Sequence, residues 1–197
     1  MKAIMISIQP RYLKDILNGE KTLEIRKTFP KCDLPIVVYI YCTQGKPYIK
    51  ECKGFRYIGD KEIANQGYYL NGKVVAKFTL NKVDIIKPNE YDYFYPNDKG
   101  VNKSLEDLSC LTKKELHSYL KGKRGYAWHI DNLVIFDKPK EISEFRAWQI
   151  GFTKNLPDDL VECDFCPYNN YYDCEECPKK FLMPLTRAPQ SWQFIEV

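Results

Sequence analysis

No stretch of the 197-residue sequence approaches eighteen consecutive apolar residues, which excludes a membrane-spanning helix on length. Internal repeats and low-complexity tracts are also missing, so the chain reads as a globular unit rather than an array. Histidine is scarce, with two in the chain. Of these, His129 is the one to weigh as a general base, although a histidine on a strand is more often structural. The apolar run from Met1 to Ile8 is short and leads into a charged amphipathic stretch rather than a small-residue cleavage site. No export signal is read there, and a soluble, cytoplasmic protein is expected.

What is present suffices for a core: 44% of residues are hydrophobic and 14% aromatic, enough for one domain or one domain with a small appendage. Charge is distributed unevenly. Residues 1–140 hold 25 Lys and Arg against 16 Asp and Glu, whereas residues 141–197 hold five against ten. A basic body attracts nucleic acid, and dispersed lysines equally describe a solvated surface.

Residues 3–8 read as a buried strand, and Pro10 follows at the first position of a helix carrying Tyr12, Leu13, Ile16 and Leu17 at helical spacing up to Gly19. From Lys21 to Arg26 the period is two, with Leu23 and Ile25 on one face and Thr22, Glu24 and Arg26 on the other. Ile36 to Cys42 is apolar enough for a central strand, and residues 44–72 read as a long excursion, with a hairpin as one form it takes. Lys73 to Leu80 resumes as strand, extended by Asn81 to Ile86. Residues 87–104 read as a polar loop, and Thr112 to Glu115 is a capping-box pattern opening a helix to about Leu120. Tyr126 to Phe136 is one strand or two with a break near Asp131-Asn132, and Ser191 to Val197 closes the chain as a strand. Few helices among many strands predict an α+β fold built on a β-barrel or strongly curved sheet.

Eight cysteines in a chain without an export signal point to metal rather than disulfides where they form CxxC pairs. Cys163, Cys166, Cys174 and Cys177 are such pairs, seven residues apart, with Pro167 and Pro178 stiffening each exit. Each turn directs two sulfurs at one tetrahedral ion, so a structural zinc is expected, with an iron–sulfur cluster or redox thiols as the alternatives. Asp158, Asp159, Glu162, Asp164, Asp173, Glu175 and Glu176 surround the pairs, so this segment should repel a phosphate backbone. With Tyr168, Tyr171 and Tyr172 it reads instead as a surface for a protein partner. Cys32, Cys42, Cys52 and Cys110 lack metal spacing and read as ordinary thiols.

The run Gly19-x-Lys21-x-x-Glu24-x-Arg26 after an amphipathic helix resembles the signature of the ASCH domain family, which has a PUA-like fold. Ser7 to Pro10, Gly72 to Phe78, Gly125 to Ile130 and Ala188 to Trp192 add to the resemblance, the last being similar to the closing segment of small phage and bacterial members. It covers residues 1–145 and 185–197, leaving 44–72 and 146–184 as insertions. The resemblance implies a PUA-like β-barrel with flanking helices, and a cleft lined by Lys21, Glu24, Arg26, Gln190, Ser191 and Trp192 that binds RNA or a modified nucleotide. Lys21 and Arg26 would meet phosphate or a base edge, Glu24 a base amino group, and Trp192 an unstacked base. A second implied reading is a hydrolase acting on a modified nucleoside or RNA, with Lys21 and Glu24 as candidate catalytic residues. Members resembling amidohydrolases carry threonine where this chain has Glu24, so the hydroxyl nucleophile is missing at that position, and Thr22, two residues away, is not an equivalent replacement.

Overall fold

The structure, a computed structural model, describes residues 1–52, 55–58, 68–88, 93–94, 104–151 and 179–197. Strand β1 (Lys2–Ile8) is apolar on both faces because both are covered: Ala3 and Met5 enter one core, and Ile4, Ile6 and Ile8 another. A continuous apolar run is what a strand buried on two sides requires. Helix α1 (Pro10–Leu17) opens at Pro10, whose fixed φ suits the first helical turn, and buries Leu13, Ile16 and Leu17. Gly19 then turns the chain at φ +75°, a conformation that costs glycine nothing sterically. After the short β2 (Leu23–Arg26), β3 (Ile36–Cys42) returns parallel to β1, pairing Ile4 with Val38 and Ile8 with Cys42. Parallel neighbours need such a crossover, and α1 with β2 supplies it.

Five more strands complete a seven-stranded sheet: β7 (Val74–Leu80), β11 (Asp131–Lys140), β12 (Arg146–Gly151), β13 (Lys179–Pro184) and β14 (Trp192–Glu196). Its order is β11-β7-β3-β1-β14-β12-β13. A four-stranded sheet of order β2-β10-β8-β9 contains β8 (Val83–Pro88), β9 (Tyr93–Phe94) and β10 (Gly125–His129). The protein is a mixed α+β fold, mostly sheet with few helices, as its pattern predicts. No closed barrel is seen among the described residues, where the two larger sheets keep separate strand orders.

The reason lies in two places where the chain changes sheet. Residues 81–86 do not extend β7 as expected: Asn81 and Lys82 break the ladder, and β8 carries Ile86, fully buried, into the core beneath the smaller sheet. The stretch 126–136 is likewise two strands, parted at Ile130, with Asn132 in the left-handed region at φ 49°. The two crossings lie side by side, joined by a bond from the His129 N–H to the Lys82 carbonyl at 3.1 Å.

The excursion at 44–72 contains a three-stranded sheet, β5-β4-β6, of β4 (Ile49–Cys52), β5 (Phe55–Ile58) and β6 (Tyr68–Tyr69). Its ends are anchored: Ile49 and Leu70 are buried in the main core, and Asn71 Oδ1 accepts from the Ile49 N–H at 2.8 Å. Helix α2 (Leu105–Ser109), just beyond the stretch read as loop, starts at a Ser104–Asp107 capping box. Helix α3 (Lys113–Leu120) has the Thr112–Glu115 box that the sequence predicts, satisfying two otherwise orphaned N–H groups.

Leu105, Leu116 and Leu120 pack with Leu23, Ile25, Ile86 and Ala127 under the smaller sheet. At Gly125 a Cβ would stand 2.8 and 2.9 Å from the Leu120 methyls and 3.2 Å from Ile86, so the glycine is what lets α3 approach β10. Gly125→Ala is therefore expected to cost about 1–3 kcal/mol by overpacking, read from urea denaturation. An unchanged midpoint would show that α3 shifts freely on this sheet.

Candidate functional site

Strand β2 is short and buried on both faces, including the face expected to be polar. Lys21, Glu24 and Arg26 are only 2%, 8% and 5% exposed. Burial of three ionic groups is tolerated when they pair and their remaining polar atoms find partners. Glu24 lies between the two cations, with Oε2 3.4 Å from Lys21 Nζ and Oε1 3.0 Å from Arg26 Nε. The Arg26 Nε–H is not aimed well enough at the carboxylate to count as a hydrogen bond, so that contact is coulombic. Lys21 Nζ also donates to the Ser109 carbonyl at 2.6 Å, at the end of α2. Arg26 Nη2 donates to the Ser7 carbonyl at 2.7 Å, and Nη1 to Ser191, its carbonyl at 3.3 Å and its Oγ at 3.4 Å. Arg26 thus ties β2 to the end of β1 and the start of β14.

Of the expected cleft residues, Lys21, Glu24, Arg26 and Ser191 converge, whereas Gln190 and Trp192 do not join them. Both line a separate cleft of about 500 Å³ together with Arg187, Gln193 and Phe194. The indole N–H of Trp192 donates to Thr28 Oγ1 at 2.9 Å, and the ring is half-buried, edge-on to Phe194 with centroids 5.8 Å apart. His129 is removed from the ion cluster by register. It sits opposite Leu23, on the other face of the sheet from Glu24 and its partner Trp128, and its Nε2 lies 2.7 Å from Asp84 Oδ2.

A cleft of about 430 Å³ next to the buried ions is a feature that the sequence pattern does not announce. It lies between α1 and α3 and is lined by Arg11, Tyr12, Lys27, Lys114, Glu115 and Tyr119. The Arg11 guanidinium stands 4.2 Å from the Tyr12 ring centre, and Lys27 Nζ 4.7 Å from that of Tyr119. Lys21 Nζ is 6.0 Å from the Tyr12 ring, placing the ion cluster beneath the wall of this cleft. Glu115 is the one carboxylate in this lining. Hydrogen bonds from Thr112 hold its carboxyl below the usual range, helped by Arg11, which ion-pairs with it at 3.2 Å. Burial pushes the Tyr119 phenol upward, and Arg26 only partly opposes this, so its hydroxyl stays neutral. The signal the sequence does hold for these residues is a cation beside a tyrosine in α1, Arg11-Tyr12, and lysines near Tyr119 in α3.

Burial also raises the Cys32 and Cys110 thiols and pushes Cys42 up to about 12, which makes all three poor nucleophiles and metal ligands. Cys163, Cys166, Cys174 and Cys177 lie outside the described residues. Among the described residues no group of three or more His, Cys, Asp or Glu is placed to hold a metal, and no helix is long and apolar enough to cross a membrane.

No family model and no curated protein matches the sequence. The solved structures to which the chain is similar include the ASCH protein of Zymomonas mobilis, at 16% identity and a TM-score of 0.45 over 71% of this chain and 73% of that one. Two point variants of the same protein are similar at TM-scores of 0.44, one at 15% identity over 72% of this chain and 77% of that chain, the other at 16% over 71% and 73%.

Proposed function

We propose that this chain is an RNA- or modified-nucleotide-binding module of the ASCH, PUA-like type, and that the cleft between α1 and α3 is where the ligand binds. The observation that carries the reading is the pairing of three cations, Arg11, Lys27 and Lys114, with two tyrosine rings in one cleft. Cations meet phosphate and rings stack on an unpaired base, which is the combination single-stranded recognition uses. Lys21, Glu24 and Arg26 form the rigid floor, because their polar atoms already answer one another and the Ser7, Ser109 and Ser191 carbonyls. The same commitment supports binding over turnover: Lys21 and Glu24 pair with each other, and Lys21 also donates to the Ser109 carbonyl. Equilibrium binding of short single-stranded RNA and of nucleoside monophosphates tests the proposal. Tyr119→Ala should weaken binding about tenfold through the lost stacking face, and a folded wild-type protein that binds neither probe rules it out.

The four-cysteine segment is proposed to hold one structural zinc, on the strength of its two CxxC pairs and the proline after each. Elemental analysis of freshly purified protein should return one zinc per chain, and Cys166→Ser should reduce it sharply. Metal-free protein at full solubility contradicts the assignment. The acidic residues around these cysteines keep phosphate away, so any partner of this segment is proposed to be a protein.

A further inference from the structure

The two clefts meet at one dipeptide. Lys27 lines the first, and its neighbour Thr28 holds the indole of Trp192, which lines the second. Lys27 and Thr28 are consecutive, so one dipeptide carries a lining residue of the first cleft and the hydrogen-bond partner of a lining residue of the second. The second cleft repeats the chemistry of the first. Trp192 and Phe194 give it ring surface, Lys2 Nζ stands 4.0 Å over the Phe194 ring, Arg187 supplies an exposed cation, and Gln190 adds an amide. Because the only N–H of the indole is committed to Thr28, the Trp192 ring offers a face to stack on rather than a donor.

We infer that the two clefts are successive subsites for one single-stranded RNA. One base packs against the tyrosines of the first cleft, the next base against Trp192, and the phosphate between them passes Lys27. The inference rests on the proposed function and adds to it that the natural ligand is longer than a single nucleotide. Ring surface in both clefts, with cations at each, fits a strand that alternates base and phosphate, and a free mononucleotide would fill only one.

Calorimetric titration of the full chain with uridylate of one, two, four and eight nucleotides, at one fixed salt concentration, tests this. In the wild type the tetranucleotide should bind at least about tenfold more tightly than the mononucleotide, the effect expected of one added stacked base. Trp192→Ala should bring that ratio near one, Trp192→Phe should keep most of it, and Arg187→Glu should lower it. The ratio is taken within each protein, so a partly unfolded variant does not mimic the result. Mononucleotide binding with no gain on lengthening overturns the inference and leaves the proposed function standing, as does a full gain retained in Trp192→Ala. Failure of every length to bind overturns both.

Discussion

Glu24→Ala is expected to lower stability by about 3–5 kcal/mol, because it strands two buried cations that pair with no other carboxylate among the described residues. Lys21 and Arg26 are 2% and 5% exposed, so water cannot take over from the missing oxygens. For a chain of this size the corresponding fall in melting temperature is on the order of 10 °C. Lys21→Met should cost less, since Glu24 keeps Arg26 at 3.0 Å and the removed charge no longer needs solvation. Urea denaturation of the two variants measures the difference. A loss below about 1 kcal/mol for Glu24→Ala would mean that the cluster opens to solvent and contributes like a surface pair.

The second large effect concerns ligand binding. Arg11→Glu, Lys27→Glu and Lys114→Glu combined should weaken single-stranded RNA binding by about a hundredfold or more at low salt, while leaving the fold intact. Arg11 and Lys114 are exposed, and the Arg11–Glu115 pair is about half exposed at the arginine, so the stability cost is small. Every phosphate that a side chain ceases to neutralise takes about 0.7 from the slope of log K against log salt concentration for a single strand, so three should take about 2. An unchanged slope in the triple variant would place the phosphates elsewhere on the surface.

Elements set by neighbouring residues were readable from the sequence. The apolar run of β1 and β3, the Pro10 start of α1 and the Thr112 cap of α3 each follow from a few adjacent side chains. The division into two sheets was not readable, because Asn81 and Ile130 mark a change of partner that only the distant strands define. The same holds for the ion cluster. Spacing alone set Glu24 and Arg26 on one strand face, and the burial of Lys21, Glu24 and Arg26 depends on Ser109, Ser7 and Ser191, the last 165 residues away from Arg26. The closing segment divides in the same way: Gln190 and Trp192 line one cleft, while Ser191 between them meets Arg26.

Strands β12 and β13 form the outermost hairpin of the large sheet, pairing from Arg146↔Pro184 to Gly151↔Lys179, and β12 joins the rest of the sheet at β14 through Arg146↔Glu196. Chain emerging between residues 151 and 179 therefore departs from the margin, where no central strand must be re-threaded when its length changes. The entropy of closing such a connection rises only by about 0.6 kcal/mol for each doubling of its length. This margin is where the fold can gain, lose or exchange a module over evolutionary time, and the same place in the sheet suits a transplanted domain or a reporter.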